Sequence, residues 1–227
     1  MWLLTLYRST IGKKVIMAVT GLLLVLFVIG HMAGNLQVFG GPAKMNGYAA
    51  FLKSTGELLW LVRIGLLVAL LLHVLMAWQL TRIKAAARPI DFQKRQPQVS
   101  TRASRSMRWG GVLLLVFIVF HILHFTTGTL FSYASRADAQ YAGFSASDVY
   151  GNVISGFRVP WVVAFYVMAM LFLMLHLFHG AWSSVRTLGL TKPSQHPLHR
   201  RVATVIALVV WLGFSAIPVA VYFGVIR

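Results

Sequence analysis

Hydrophobic and polar positions along this chain do not alternate. They fall into five long apolar blocks, roughly 15–38, 58–81, 109–131, 159–185 and 202–226, separated by shorter polar stretches. Each block is long enough to cross a bilayer as a helix, which needs about 20 residues. Continuous apolar runs exclude a β-barrel, whose strands alternate, and lipid offers backbone groups no partner outside their own segment, so helices are the expected form. The first block is too long for a cleavable signal peptide and lacks a small-residue cleavage pattern, so it reads as a membrane span. The expected architecture is all-α: one integral membrane domain over 1–227, a five-transmembrane-helix bundle.

Composition agrees with that pattern. The chain is 58% hydrophobic and 11% charged, with a mean hydropathy of +0.75. Its net charge of +17 is distributed by the positive-inside rule. With the N-terminus inside, fifteen Lys and Arg flank the inner ends of the spans. The other face holds six, together with the acids Glu57, Asp138 and Asp148. The N-terminus is therefore expected in the cytoplasm and the C-terminus outside. Trp78, Trp109 and Trp182 then lie near the inner interface, and Trp60 and Trp161 near the outer one. Topology accounts for most of the basic charge, and no nucleic-acid partner is expected. The basic segment 82–108 contains Pro89 and Pro97 and reads as a loop facing anionic lipid or an acidic soluble partner. The chain has no cysteine, which excludes a thiolate-bound iron–sulfur cluster, covalently attached c-type haem and a disulfide within it.

Histidine is what the apolar pattern does not explain. Six of the eight lie in expected spans: His31 in the first, His73 in the second, His121 and His124 in the third, His176 and His179 in the fourth. A lone membrane histidine is ordinarily satisfied by a neighbouring helix, but four successive helices each carrying one calls for a shared purpose. Depth sorts them into two levels. At about 1.5 Å per residue, His31 is roughly 25 Å from Lys14 and His121 roughly 20 Å from Arg108; His73 is roughly 13 Å from Arg82 and His176 roughly 15 Å from Arg186. Each level pairs non-consecutive helices, the diagonal contact of a four-helix bundle. Haem iron takes axial ligands on opposite faces of a flat macrocycle, and two opposed neutral imidazoles supply them without carrying charge into lipid. A zinc site would need further ligands, and the spans contain no Asp, Glu or Cys. Two stacked b haems are expected, an inner one on His73 and His176 and an outer one on His31 and His121, enclosed by the first four helices. His124 and His179 lie one turn from His121 and His176 on the same faces, so spacing leaves either member of each doublet as the ligand. The fifth span has no histidine and is expected outside the bundle.

Four segments carry a resemblance: "STIGKKVIMAVTGL" leading into the first span, "GHMAGNL" around His31, "RWGGVLLLVFIVFH" up to His121 and "HLFHGAWSSVRTLGL" from His176. In that order they resemble the di-haem cytochrome b membrane anchor of succinate dehydrogenase and fumarate reductase, in its single-subunit five-helix form. The resemblance implies axial ligands at His31, His73, His121 and His176, with His124 and His179 as second choices. It also implies a flavoprotein and an iron–sulfur subunit docked on the cytoplasmic face, and electron transfer through both haems to a quinone, menaquinone in many five-helix members. The setting is respiratory complex II, linked to the tricarboxylic acid cycle, in a prokaryotic inner membrane. No catalytic residue is evident here, and the chain reads as an electron-transfer subunit. A quinone pocket needs a hydrogen-bond donor or two among apolar walls. Ser9, Lys13 and Gln79 are candidates near the inner face, and Asn35, Gln37 and Lys53 near the outer one. Arg63 is the candidate outer propionate partner by position. Two other readings stand beside this one: the cytochrome b of a hydrogenase or formate dehydrogenase, and a haem-free transporter or proton channel relaying protons through histidine.

Overall fold

A computed structural model describes residues 7–87, 100–130 and 143–227, and among them seven α-helices and no strand. Five helices are long and apolar enough to cross a membrane. They are α1 (Thr10–Asn35), α3 (Glu57–Ala86), α4 (Arg102–His121), α6 (Pro160–Thr187) and α7 (His196–Tyr222). Two shorter ones, α2 (Pro42–Ser54) and α5 (Val149–Phe157), lie in the connections.

Local chemistry sets these boundaries. Ser9 caps α1 by accepting a hydrogen bond from the Gly12 amide at 2.9 Å, and Thr101 does the same for α4 at the Ser104 amide, 3.1 Å. Pro160 starts α6 at a position where a missing N–H costs nothing. After α1, a 3₁₀ turn over Leu36–Gly40 hands the chain to Gly41, whose φ of +85° lets it reverse into α2.

Two expectations need correction. Segment 82–108 is not loop throughout: α3 continues to Ala86 and α4 begins at Arg102, while 88–99 lies outside the described residues. Long basic side chains allow this, because they extend their charge beyond the apolar layer while the backbone stays helical. The third span also changes character. Its α-helix stops at His121 and a π-turn runs over Ile122–Thr126.

The packing order of the first four spans is α3, α1, α6, α4. Helix α3 lies along α1, α1 against α6, and α6 against α4, while α3 and α4 make no comparable contact with each other. In a square of that order the diagonals join α1 with α4 and α3 with α6. Helix α7 packs outside, on α6 and α1, as expected of the fifth span. Its inward stripe is Ala203, Ala207, Val210, Ile217 and Val221, all buried at helical spacing.

The end of the bundle nearest α2 is closed by a polar clamp. The Asn46 side chain donates to the Asp148 carboxylate and accepts from the Tyr150 amide, each at 2.9 Å, while Asp148 also caps α5 at the Gly151 amide. The Lys53 ammonium donates to the Ala146 carbonyl, and the Tyr150 hydroxyl donates to the Arg227 carbonyl at 2.7 Å. So tied, α5 is buried from Tyr150 to Phe157 and packs against the π-turn, α6 and α7.

Candidate cofactor site

Both bundle diagonals carry a pair of imidazoles. The rings of His31 on α1 and His121 on α4 lie 5.8 Å apart between centroids, and those of His73 on α3 and His176 on α6 lie 6.1 Å apart. The vertical separation of the two tiers can be read twice. Gly21 of α1 faces His73, and His31 is ten residues further on. Gly111 of α4 faces His176, and His121 is ten residues further on. Both give about 15 Å at the α-helical rise.

The donor set restricts what such pairs can hold. Among the described residues no group of three or more His, Asp or Glu converges as for a metal ion. A metal bound here would have two protein ligands and would need its remaining positions filled by something it brings, as a macrocycle does. Separation supplies the fit test. An imidazole nitrogen lies about 2.0 Å from a bound transition metal. With the roughly 1.2 Å from ring nitrogen to ring centre added on each side, two opposed imidazoles on one iron have centroids about 6.4 Å apart, and the tiers, at 5.8 and 6.1 Å, come within about 0.6 Å of that.

The surroundings of the rings favour a ligand role as well. His73 Nδ1 donates to the Met17 carbonyl at 3.1 Å, with the Thr20 hydroxyl 3.4 Å away. Using Nδ1–H in this way leaves the lone pair on Nε2, the tautomer that binds metal. His176 Nδ1 is buried without a hydrogen-bond partner. Room is made by glycine, since a Cβ on Gly21 would come within 3.0 Å of the His73 ring. On the upper tier, Phe27 stacks on His31 and Phe117 on His121, and Asn35 donates to the His31 carbonyl at 2.7 Å.

At this point the chain can be set beside known proteins. It is similar to the succinate dehydrogenase cytochrome b558 subunit of Bacillus subtilis (strain 168). The two are 24% identical over 114 residues, which is 50% of this chain and 48% of that subunit, so the match spans about half the length of the relative. No family model and no solved structure matches.

The relative's name, a succinate dehydrogenase cytochrome b subunit, agrees in its coarse terms with the resemblance read from the four sequence segments, and the structure adds where the histidines go. His31 meets His121, while His124 turns toward α5 and packs on Phe125 and Phe157. His73 meets His176, while His179 packs edge-on against Trp182.

Other candidates divide. Ser9 is occupied as the α1 cap, but Lys13 and Gln79 come together around Tyr7, which sequence reading passed over. The Lys13 ammonium, buried at 7% exposure, donates to the Tyr7 carbonyl at 2.6 Å and lies over its ring; Gln79 donates to the Tyr7 hydroxyl at 3.0 Å. Gln37 is half-buried, and Lys53 belongs to the polar clamp. Arg63 is exposed and stacks over Trp60 at 5.1 Å, and a second stack sets Arg186 and Arg200 over Trp182 at 5.0 and 5.5 Å. These tryptophan–arginine pairs are what an interface belt provides. Tyr166 also escaped sequence reading, because an aromatic in an apolar run carries no signal of its own; its hydroxyl reaches both His121 and His124.

Proposed function

We propose that this chain is the membrane-anchor cytochrome b subunit of a succinate:quinone oxidoreductase. One b haem is held by His31 and His121 and a second by His73 and His176. The observation that carries this reading is the pairing of four imidazoles, two by two, at the spacing of opposed axial ligands on the diagonals of one bundle. The partial likeness to a succinate dehydrogenase cytochrome b558 subunit supports the choice of complex. When bound, haem supplies a one-electron couple that the protein's own side chains lack. The chain's residues present neutral nitrogen ligands, fix the tautomer of His73 through the Met17 carbonyl, and surround the rings with apolar helices that keep water out.

In this reading the ends carrying Lys13, Lys14, Arg82, Arg105 and Arg186 face the cytoplasm of a prokaryotic cell, and the C-terminus lies outside. A flavoprotein and an iron–sulfur subunit dock on that basic face. Tyr7, with Gln79 and Lys13 behind it, is the candidate quinone contact on the same side. Because Gln79 donates to the phenol oxygen, the phenol proton is left to donate to a quinone carbonyl. Tyr7→Phe is therefore expected to raise the KM for a short-chain menaquinone analogue about fivefold, the effect of one hydrogen bond of about 1 kcal/mol. Steady-state assay of succinate–quinone reductase activity reads this directly, and an unchanged KM removes Tyr7 from the site.

Isolation of the native complex tests the whole reading. Two b haems per chain by pyridine haemochrome are expected, with a covalent-flavin subunit co-purifying. A chain without sharp b-type bands in the reduced-minus-oxidised spectrum would be a haem-free relay. Haem without the flavoprotein would point to another respiratory complex.

A further inference from the structure

His124 is buried completely, yet the pairing of imidazoles across the bundle does not use it. It lies in the π-turn that follows His121, and such turns cluster at functional sites. Its Nδ1 is 2.9 Å from the Tyr166 hydroxyl, and Nδ1 of His121 is 3.2 Å from the same oxygen. Two histidines of the third span thus converge on one phenol from the fourth.

A phenol has one proton to give and lone pairs to receive one. If His121 faces iron through Nε2, its proton resides on Nδ1 and is donated to the Tyr166 oxygen, its hydrogen-bond partner among the described residues. The phenol proton then has His124 Nδ1 as its acceptor. The lengths agree with this direction, since O–H donors make shorter bonds than N–H donors. Packing holds the three groups in place. Tyr166 is wedged edge-on between Phe117 and Phe157, with centroids 5.0 and 4.9 Å away, and His124 lies against Phe125 at 3.9 Å. Gly156 of α5 backs the His124 ring so closely that a Cβ there would be 2.9 Å from Nε2.

We propose that Tyr166 is a positioning residue for His121 and that His124 sets the direction of its hydrogen bond. By drawing the phenol proton to itself, His124 keeps the tyrosine oxygen an acceptor, and that acceptor keeps His121 in the tautomer with its lone pair on Nε2. Loss of His124 removes the acceptor that holds the phenol proton away from His121, and a proton turned toward His121 opposes that tautomer. The proposal rests on the reading of His121 as an axial ligand. A ligand imidazole that donates its second N–H is a stronger base toward metal.

The test uses the intact complex and compares Tyr166→Phe, His124→Phe and the double variant by redox titration of both haems and by low-spin electron paramagnetic resonance. Tyr166→Phe is expected to raise the potential of one haem and change its resonance, leaving the other as an internal control for folding. His124→Phe shifts the same haem in the same direction. The double variant goes no further than Tyr166→Phe alone, because both changes act through one bond. Tyr166→Gln, whose amide oxygen can accept from His121, recovers part of the shift.

Unchanged potentials and resonances in Tyr166→Phe overturn the proposal, and so do additive shifts in the double variant. Outer haem lost in Tyr166→Phe and not regained in Tyr166→Gln also overturns it. Outer haem lost in His124→Phe alone would make His124 the ligand instead. A wild-type complex with fewer than two haems fails at the earlier step, taking the ligand assignment down together with this proposal.

Discussion

Replacing His176 with leucine is expected to halve the b-type absorbance of the purified complex, leaving one haem per chain. The argument is one of donor count. Among the described residues each tier offers two imidazoles and no third ligand, so removing one leaves a site that cannot complete the axial coordination of iron. The His31–His121 pair is about 15 Å away and shares no ligand with it, so its haem should persist with an unaltered spectrum. His179→Leu is the matched control. Its ring packs on Trp182 rather than across the diagonal, and both haems should survive its loss. Pyridine haemochrome assay per chain checks both. The reverse result, haem lost with His179 and kept without His176, would move the ligand by one turn.

The second large effect is expected at a residue with no polar group. Gly156→Val should lower the midpoint for thermal loss of the outer haem by about 4–8 °C, taking roughly 2 kcal/mol of overpacking. A Cβ at this position meets the His124 ring and Phe125 Cζ, both at 2.9 Å. These are ring atoms, His124 fully buried and Phe125 half-buried, and the π-turn carrying them packs against Tyr166. Gly30→Ala makes the contrast, since a Cβ there meets nothing within 4 Å and the melting curve should not move. A heat scan followed in the Soret band separates the two, and equal curves would show that the α5 contact carries no strain.

The five spans could be read from the chain because lipid demands long apolar runs and little else. The diagonal meeting of His31 with His121 and of His73 with His176 was legible for a related reason: helical rise is constant, so depth can be counted from the charged ends. What could not be read depends on contacts between distant residues. Helix α5 has nine residues, too few for a periodic signal, and it is held by Asn46, over a hundred positions earlier, and buried against residues of four other elements. The π-turn after His121 packs against α5, a contact that no local propensity reports. Spacing therefore left His121 and His124 equivalent, while the structure sets His121 against His31 and His124 against α5, with Tyr166 shared between them. Tyr7 and Tyr166 were invisible as functional candidates because the value of a phenol depends on what its oxygen meets.

One feature of the bundle bears on where this protein can work. Helix α3 has 30 residues, about 45 Å of helix, and only Ala69 and Met76 are buried along it. Its inclination in a hydrocarbon layer about 30 Å thick is set by its contact with α1 and by the Trp60–Arg63 and Trp78–Arg82 anchors at its two ends. A thinner bilayer favours tilting it, and His73 then travels with it relative to His176. Acyl-chain length therefore enters the geometry of the lower tier, and reconstitution into short- and long-chain lipids becomes a mechanical dial on that one pair of rings.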